Sequence, residues 1–164
     1  MNGAEVLRYG HESVLRHVEG LSEEEWHTPG VCGVWSVKEI VAHLASFELL
    51  LVDVLNTIVD NGVNIPVLMS LGALGIERFN NDEVAKRKDD AYIKVLTEYN
   101  LAHDEVMTLI AKVPVETRRK AGTLPWYGPE YDLEDYICYS NYAHKREHCA
   151  QIAVFRDVLK TNPR

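Results

Sequence analysis

Apolar residues recur at three- and four-residue intervals in four long segments of this chain, and no segment alternates long enough to make a strand. The pattern predicts an all-α protein. Leu7, His11, Val14, Val18 and Leu21 form one stripe near the ~3.6-residue helical period, which predicts a first helix from Ala4 to Gly20. Ser22 with Glu25 makes a capping box for one short turn leading to Trp26, and Ser36 with Glu39 makes another. The second box opens a helix over 36–60 that Asn61-Gly62 stops.

From Val63 to Ile76 the chain is apolar but broken by Pro66, Gly72 and Gly75. It reads as a connection packed across the fold, with room for one short helical piece. A link of that length suits a crossover between parallel helices better than a hairpin. A third helix is predicted from Asp82 to Lys112, with Tyr92, Val95, Tyr99, Ala102, Val106 and Ile110 inward and the charged start, Asp82 to Asp90, solvated. Thr123 to Tyr131 is a loop, and Asp132 with Asp135 starts a last helix that continues to about Lys160. The expected architecture is a four-helix bundle with a long crossover between helices 2 and 3, in one domain over 1–164.

Composition narrows the partners. The 164 residues carry a formal net charge of −8, and no Lys/Arg stripe offsets it, so nucleic acid is not an expected partner. The first residues lack a basic region followed by an apolar one, and no uninterrupted apolar run approaches ~18 residues. A cytoplasmic protein with no membrane partner is expected. Cys32, Cys138 and Cys149 are odd in number and lack CxxC spacing, which argues against a disulfide framework or a cysteine zinc site.

The histidines carry the candidate chemistry. Stepping from Ile137 at ~3.6 residues passes Asn141, His144, His148, Gln151, Phe155 and Leu159. On the second helix His43 lies on or beside the stripe of Ile40, Phe47, Leu51, Val54 and Ile58. Residues at i and i+4 have Cβ atoms roughly 5–6 Å apart, so His144 and His148 can converge on one ion, and His43 from a facing helix completes three ligands. Zinc, nickel, iron and copper all accept imidazole. The competing reading is three hydrogen-bonded core histidines, since an i,i+4 pair among seven arises readily by chance. His11 is either a core histidine or a neighbour of the site; His17, His27 and His103 read as surface or boundary residues. Glu147 and Glu48 are either orienting partners of the imidazoles or solvated, with solvation favoured.

Three stretches, Trp35-Ser36-Val37-Lys38-Glu39-Ile40-Val41-Ala42-His43-Leu44, Glu77-Arg78-Phe79-Asn80 and His144-Lys145-Arg146-Glu147-His148-Cys149-Ala150-Gln151-Ile152, together resemble the DinB/YfiT-like superfamily of four-helix-bundle metalloenzymes, particularly its DfsB/ClbS-like members. The resemblance implies an up-down-down-up bundle with His43, His144 and His148 as metal ligands, nickel or zinc as the ion, and a homodimer. It transmits function less sharply, because relatives include thiol-dependent transferases and isomerases as well as a hydrolase.

Three functions from different classes follow. The first is a metal-dependent enzyme acting on a small electrophilic or toxic molecule, either a transferase or isomerase using a low-molecular-weight thiol, or a hydrolase using a metal-activated water, with Glu147, Tyr139 or Tyr142 as conceivable proton carriers. The second is a non-catalytic metal-binding protein of stress tolerance or resistance, and the third a helical interaction module without metal, in which the three histidines are core residues only. The aromatic loop Trp126 to Tyr131 either contacts substrate or covers the bundle end.

Overall fold

A computed structural model of the protein describes residues 2–60 and 64–161, so the Asn61-Gly62 stop and Val63 lie outside the described residues. Every regular element among the described residues is helical: α1 (Gly3–Val18), α2 (Glu23–His27), α3 (Val37–Val59), α4 (Pro66–Leu74), α5 (Ile76–Ala85), α6 (Tyr92–Lys112), α7 (Val115–Arg118), α8 (Leu133–Tyr136) and α9 (Ala143–Thr161), with a π-helical segment (Ile137–Tyr142) joining α8 to α9. An isolated bridge between Cys32 and Trp35 closes the tight turn before α3.

Local chemistry sets the starts. The boxes at Ser22/Glu25, Ser36/Glu39 and Asp132/Asp135 all form, each side chain accepting from the backbone N–H three residues on while the acid reaches back. α3 is the central element and packs most extensively on α6. Its apolar window is long enough to cross a membrane, but 78% of that window is buried inside the protein, as in a core helix.

Two apolar clusters fill the interior. One gathers Leu7, Leu51, Val54, Leu55, Val106, Ile110, Leu133 and Ile137, and the other gathers Val14, Val18, Trp26, Val37, Ile40, Val41, Leu44, Val95, Tyr99, Cys149 and Ile152. Residues from α1, α3, α6 and the last helical stretch meet in both, so burial of their stripes holds these four together.

The structure departs from the predicted elements in three places. The predicted helix over 82–112 is broken: α5 ends at Ala85 and α6 begins at Tyr92. Lys86 to Asp90 has no apolar face to bury, and the turn is held instead by polar contacts. Arg87 is buried there, its Nε and Nη2 donating to both oxygens of Glu98 at 2.8 and 2.6 Å and its Nη1 to Glu83 Oε2 at 3.1 Å, while Lys38 Nζ donates to Lys88 O at 2.7 Å. The charged start is therefore not simply a solvated face, since Glu83 is buried as well.

The connection holds two helices, α4 and α5, rather than one short piece. α4 lies against α3, where Asp53 Oδ2 accepts from Val67 N at 2.6 Å and Leu68 N at 2.9 Å, capping a helix that Pro66 opens. Yet no α4 residue is buried, and Met69 and Ile76 are largely exposed, so the segment rests on the bundle without being enclosed by it.

The last helix is interrupted by the π segment at 137–142. In an unbroken α-helix residues four apart drift by about 40°. The wider i→i+5 turn absorbs that drift. Ile137, Asn141 and Lys145 therefore stay on the buried face, and His144 is displaced to its half-buried margin.

Replacing Asp53 with Ala removes the acceptor from two backbone donors at the start of α4, at a cost of about 1 kcal/mol. The expected outcome is faster protease cleavage between residues 64 and 76 under native conditions, read by mass spectrometry. Unchanged cleavage would show that α4 is held by its apolar contacts alone.

Candidate metal centre

α3 and α9 bring three imidazoles together at the edge of the core. His43, His144 and His148 each offer a nitrogen within 4.8 Å of the others, and His43 and His148 are buried. His144 Nε2 lies 2.8 Å from His43 Nε2 and 3.0 Å from His148 Nε2. Trp35 sits 5.0 Å from the His43 ring, and Phe47 packs at 4.8 Å from His43 and 4.5 Å from His144, so aromatic walls fix both rings.

The tautomers are constrained. His148 Nδ1 lies 2.8 Å from Gln151 Oε1, an acceptor, so Nδ1 carries the proton and Nε2 presents its lone pair. A neutral imidazole nitrogen carries one proton or one lone pair, so His144 Nε2 cannot make a full hydrogen bond to both of its short contacts. Two lone pairs or two protons oppose each other in one of them, or a single proton is divided between two acceptors. Protonation offers no relief, because burial and the neighbouring imidazoles lower His43 to about 3, and burial, His148 and Lys145 lower His144 to about 4; burial also lowers His148. A divalent cation facing three lone pairs resolves the conflict, and on this ground the residues fit a metal ion. No other His, Cys, Asp or Glu joins the cluster among the described residues.

The remaining candidates separate from the site. His11 stacks on His103 with ring centroids 3.9 Å apart, and both belong to a second polar group inside the bundle. Two expectations are corrected there. His103 is not a surface residue but is buried, its Nδ1 3.1 Å from Glu48 Oε2; Glu48 is not solvated but fully buried, with Lys145 Nζ at 2.5 Å and Asn141 Nδ2 at 3.2 Å from its Oε1. Burial alone would raise the Glu48 pKa, but the Lys145 ammonium and the His103 contact outweigh it and hold the carboxyl at about 2. An inward carboxylate between apolar neighbours could have been suspected on α3, but only the structure supplies its cation, because Lys145 owes its inward position to the π segment.

Glu147 is exposed, as expected. Tyr139 is 61% exposed and its ring neighbours Tyr131, while Tyr142 packs by Tyr9 and Gly10 on α1. The aromatic loop packs at the start of the last helical stretch, Trp126 and Tyr127 lying edge-on to Tyr136 at 5.6 and 5.0 Å. That arrangement matches the covering of a bundle end.

All-helical packing with three histidines gathered at the edge of the core agrees with the DinB-like class that the sequence resembles. A family model described as the mycothiol maleylpyruvate isomerase N-terminal domain matches residues 7–134, most of the chain. The chain belongs to this family, and through it to the DinB/YfiT-like superfamily. The match includes His43 and stops before His144 and His148. No curated protein and no solved structure matches the chain.

The lowered histidine values fix a pH dependence. A group whose pKa falls on folding contributes stability that is complete above its unfolded value of ~6.5 and is lost as pH drops toward the folded value. Metal-free protein should thus lose stability progressively from about pH 6.5 downward, to be followed by denaturant titration. In NMR, the His43 and His144 imidazoles should remain neutral at pH 5.5 while the protein stays folded; a midpoint near 6.5 for either would contradict the desolvated cluster.

Proposed function

We propose that this protein is a divalent-metal-dependent enzyme in which His43, His144 and His148 hold a nickel or zinc ion, and which transforms a small electrophilic molecule with a low-molecular-weight thiol. The convergence of three Nε2 atoms on one point carries this reading. Three protein ligands with no fourth in reach among the described residues leave a coordination position open, which is the pattern of a catalytic site and not of a closed structural one. Two apolar clusters close the interior without help from an ion, so a purely structural staple is disfavoured.

When bound, such an ion lowers the pKa of a thiol or water at its open position and so supplies a nucleophile near neutral pH. The chain's own residues do the rest. Gln151 orients His148 through Nδ1, and Trp35 and Phe47 lock the His43 and His144 rings and keep bulk water from that side. His144, half-buried, marks the side from which a ligand reaches the three nitrogens. The thiol branch is favoured over hydrolysis because the family's description, mycothiol maleylpyruvate isomerase, names a thiol and an isomerase together.

The wider arrangement belongs to the same proposal: one domain over 1–164 built as an up-down-down-up bundle. Glu48 meets His103 as Lys38 meets the carbonyl of Lys88, supporting a parallel α3 and α6; Gly3 neighbours Glu134 as Gly10 neighbours Lys145, supporting a parallel α1 and last helix. Exposed Ile93 and Leu101, on one face of α6, support a homodimer. A cytoplasmic location goes with reduced cysteines.

In protein purified without a nickel column, elemental analysis should find about one nickel or zinc per chain. His43→Ala, His144→Ala and His148→Ala should each lose most of it, while His17→Ala and His27→Ala retain it. Turnover of an electrophilic unsaturated acid such as maleylpyruvate should require both ion and thiol and fall at least ~100-fold in the triple variant. Full occupancy in the triple variant would sink the site.

A further inference from the structure

Glu48 and Lys145 lie outside the histidine cluster, yet each is close in sequence to its members. Glu48 follows His43 by five residues on α3, and Lys145 sits between His144 and His148 on α9. The two helices are thus joined by two adjacent rungs. One is imidazole to imidazole at the edge of the core; the other is carboxylate to ammonium inside it, at 2.5 Å, with both side chains 2% exposed or less.

We infer that the buried Glu48–Lys145 pair is a positioning device, setting the register of the last helix on α3 at which His144 and His148 meet His43. The inference rests on the reading of those histidines as metal ligands. Its physical basis is the difference between a buried charge, which must keep its opposite charge beside it, and apolar contacts, which need only area. Apolar side chains pack almost equally well after a small slide or rotation, because the hydrophobic effect follows area and not direction. A one-residue slip moves a helix by about 1.5 Å and turns it by about 100°. Leu, Ile and Val partners would survive much of such a shift, but a buried charge separated from its partner would not.

A buried ion pair is rarely the most stabilising choice, since an apolar pair of similar volume is often as good or better for stability alone. The surroundings show that this one is specified in detail. Asn141, in the π segment, donates to the same Glu48 oxygen as the lysine approaches, and His103 occupies the other oxygen from α6. Gly10 on α1 leaves the room the lysine stem needs: a Cβ there would lie 3.3 Å from Lys145 Cδ. The π segment brings Asn141 and Lys145 to the same carboxylate, and the rung they make with Glu48 leaves His144 and His148 on the margin that faces His43.

The test replaces the rung while keeping its volume, in Glu48→Leu/Lys145→Met. Cobalt(II) chloride serves as the probe in the full-length protein, through its visible spectrum and through competition with a chromophoric chelator. Circular dichroism and thermal melting report the fold. The expected result is a double variant that melts below the parent, because Asn141 and His103 lose their acceptor, but stays folded with a cobalt affinity reduced about 10- to 100-fold and altered visible bands. A folded double variant with parental affinity and spectrum would overturn the inference. If the double variant does not fold, Glu48→Gln is measured in the same way: weakened cobalt binding by folded protein supports positioning, and parental binding overturns it. Failure of both to fold also overturns it, by assigning the pair to stability alone. Parental protein that takes up no cobalt defeats the metal reading itself, an outcome distinct from the others.

Discussion

The interior of this protein is organised around one carboxylate that cannot be left alone. Glu48 is fully buried in the middle of its longest helix, where an unpaired charge would be far costlier than any single apolar contact is favourable. It is satisfied by His103 from α6 and by Asn141 and Lys145 from the last helical stretch, while His11 from α1 stacks on His103. One group thereby makes demands on all four helices that build the core. The π segment and Gly10 are understandable as parts of that same constraint, the first aligning two donors and the second leaving space for one of them.

The histidine centre lies beside this group, not within it. Because Lys145 takes the buried face, His144 falls at the margin, half-buried, while His43 and His148 remain inside. Rings at such a boundary are dry enough to stay neutral and near enough to the surface to be reached by a ligand, which is what a metal centre with an open position requires. Gln151 and the aromatic walls then restrict the orientation of the rings. The electrostatic demand of the core and the chemistry at its edge are thus met by consecutive residues of one helix.

Much of this was readable in the sequence, for local reasons. The boxes at Ser22, Ser36 and Asp132 depend on residues three apart and form as expected. Spacing and resemblance both point to His43, His144 and His148, whose nitrogens the structure brings within 4.8 Å of one another. Glu48, His103 and Lys145 are not legible in this way, because a polar or charged residue on an apolar stripe declares its partner only through the tertiary structure. The π segment leaves no mark in a periodicity reckoned at a constant 100° per residue, so the predicted stripe ran through His144 where the actual one runs through Lys145. The break after Ala85 has a similar cause: the helix-forming residues Lys86 to Lys88 continue the pattern, but Arg87 is drawn to Glu83 and Glu98.

The central claim is that three imidazoles of this chain converge on one ion. X-ray absorption spectroscopy of the zinc- or nickel-loaded protein counts the ligands directly. Three imidazole nitrogens, at about 2.0–2.1 Å for zinc, with the multiple scattering of their rings and at most light oxygen scatterers besides, are the expected result. A sulfur shell near ~2.3 Å, or a first shell with no more than one imidazole, would contradict the account.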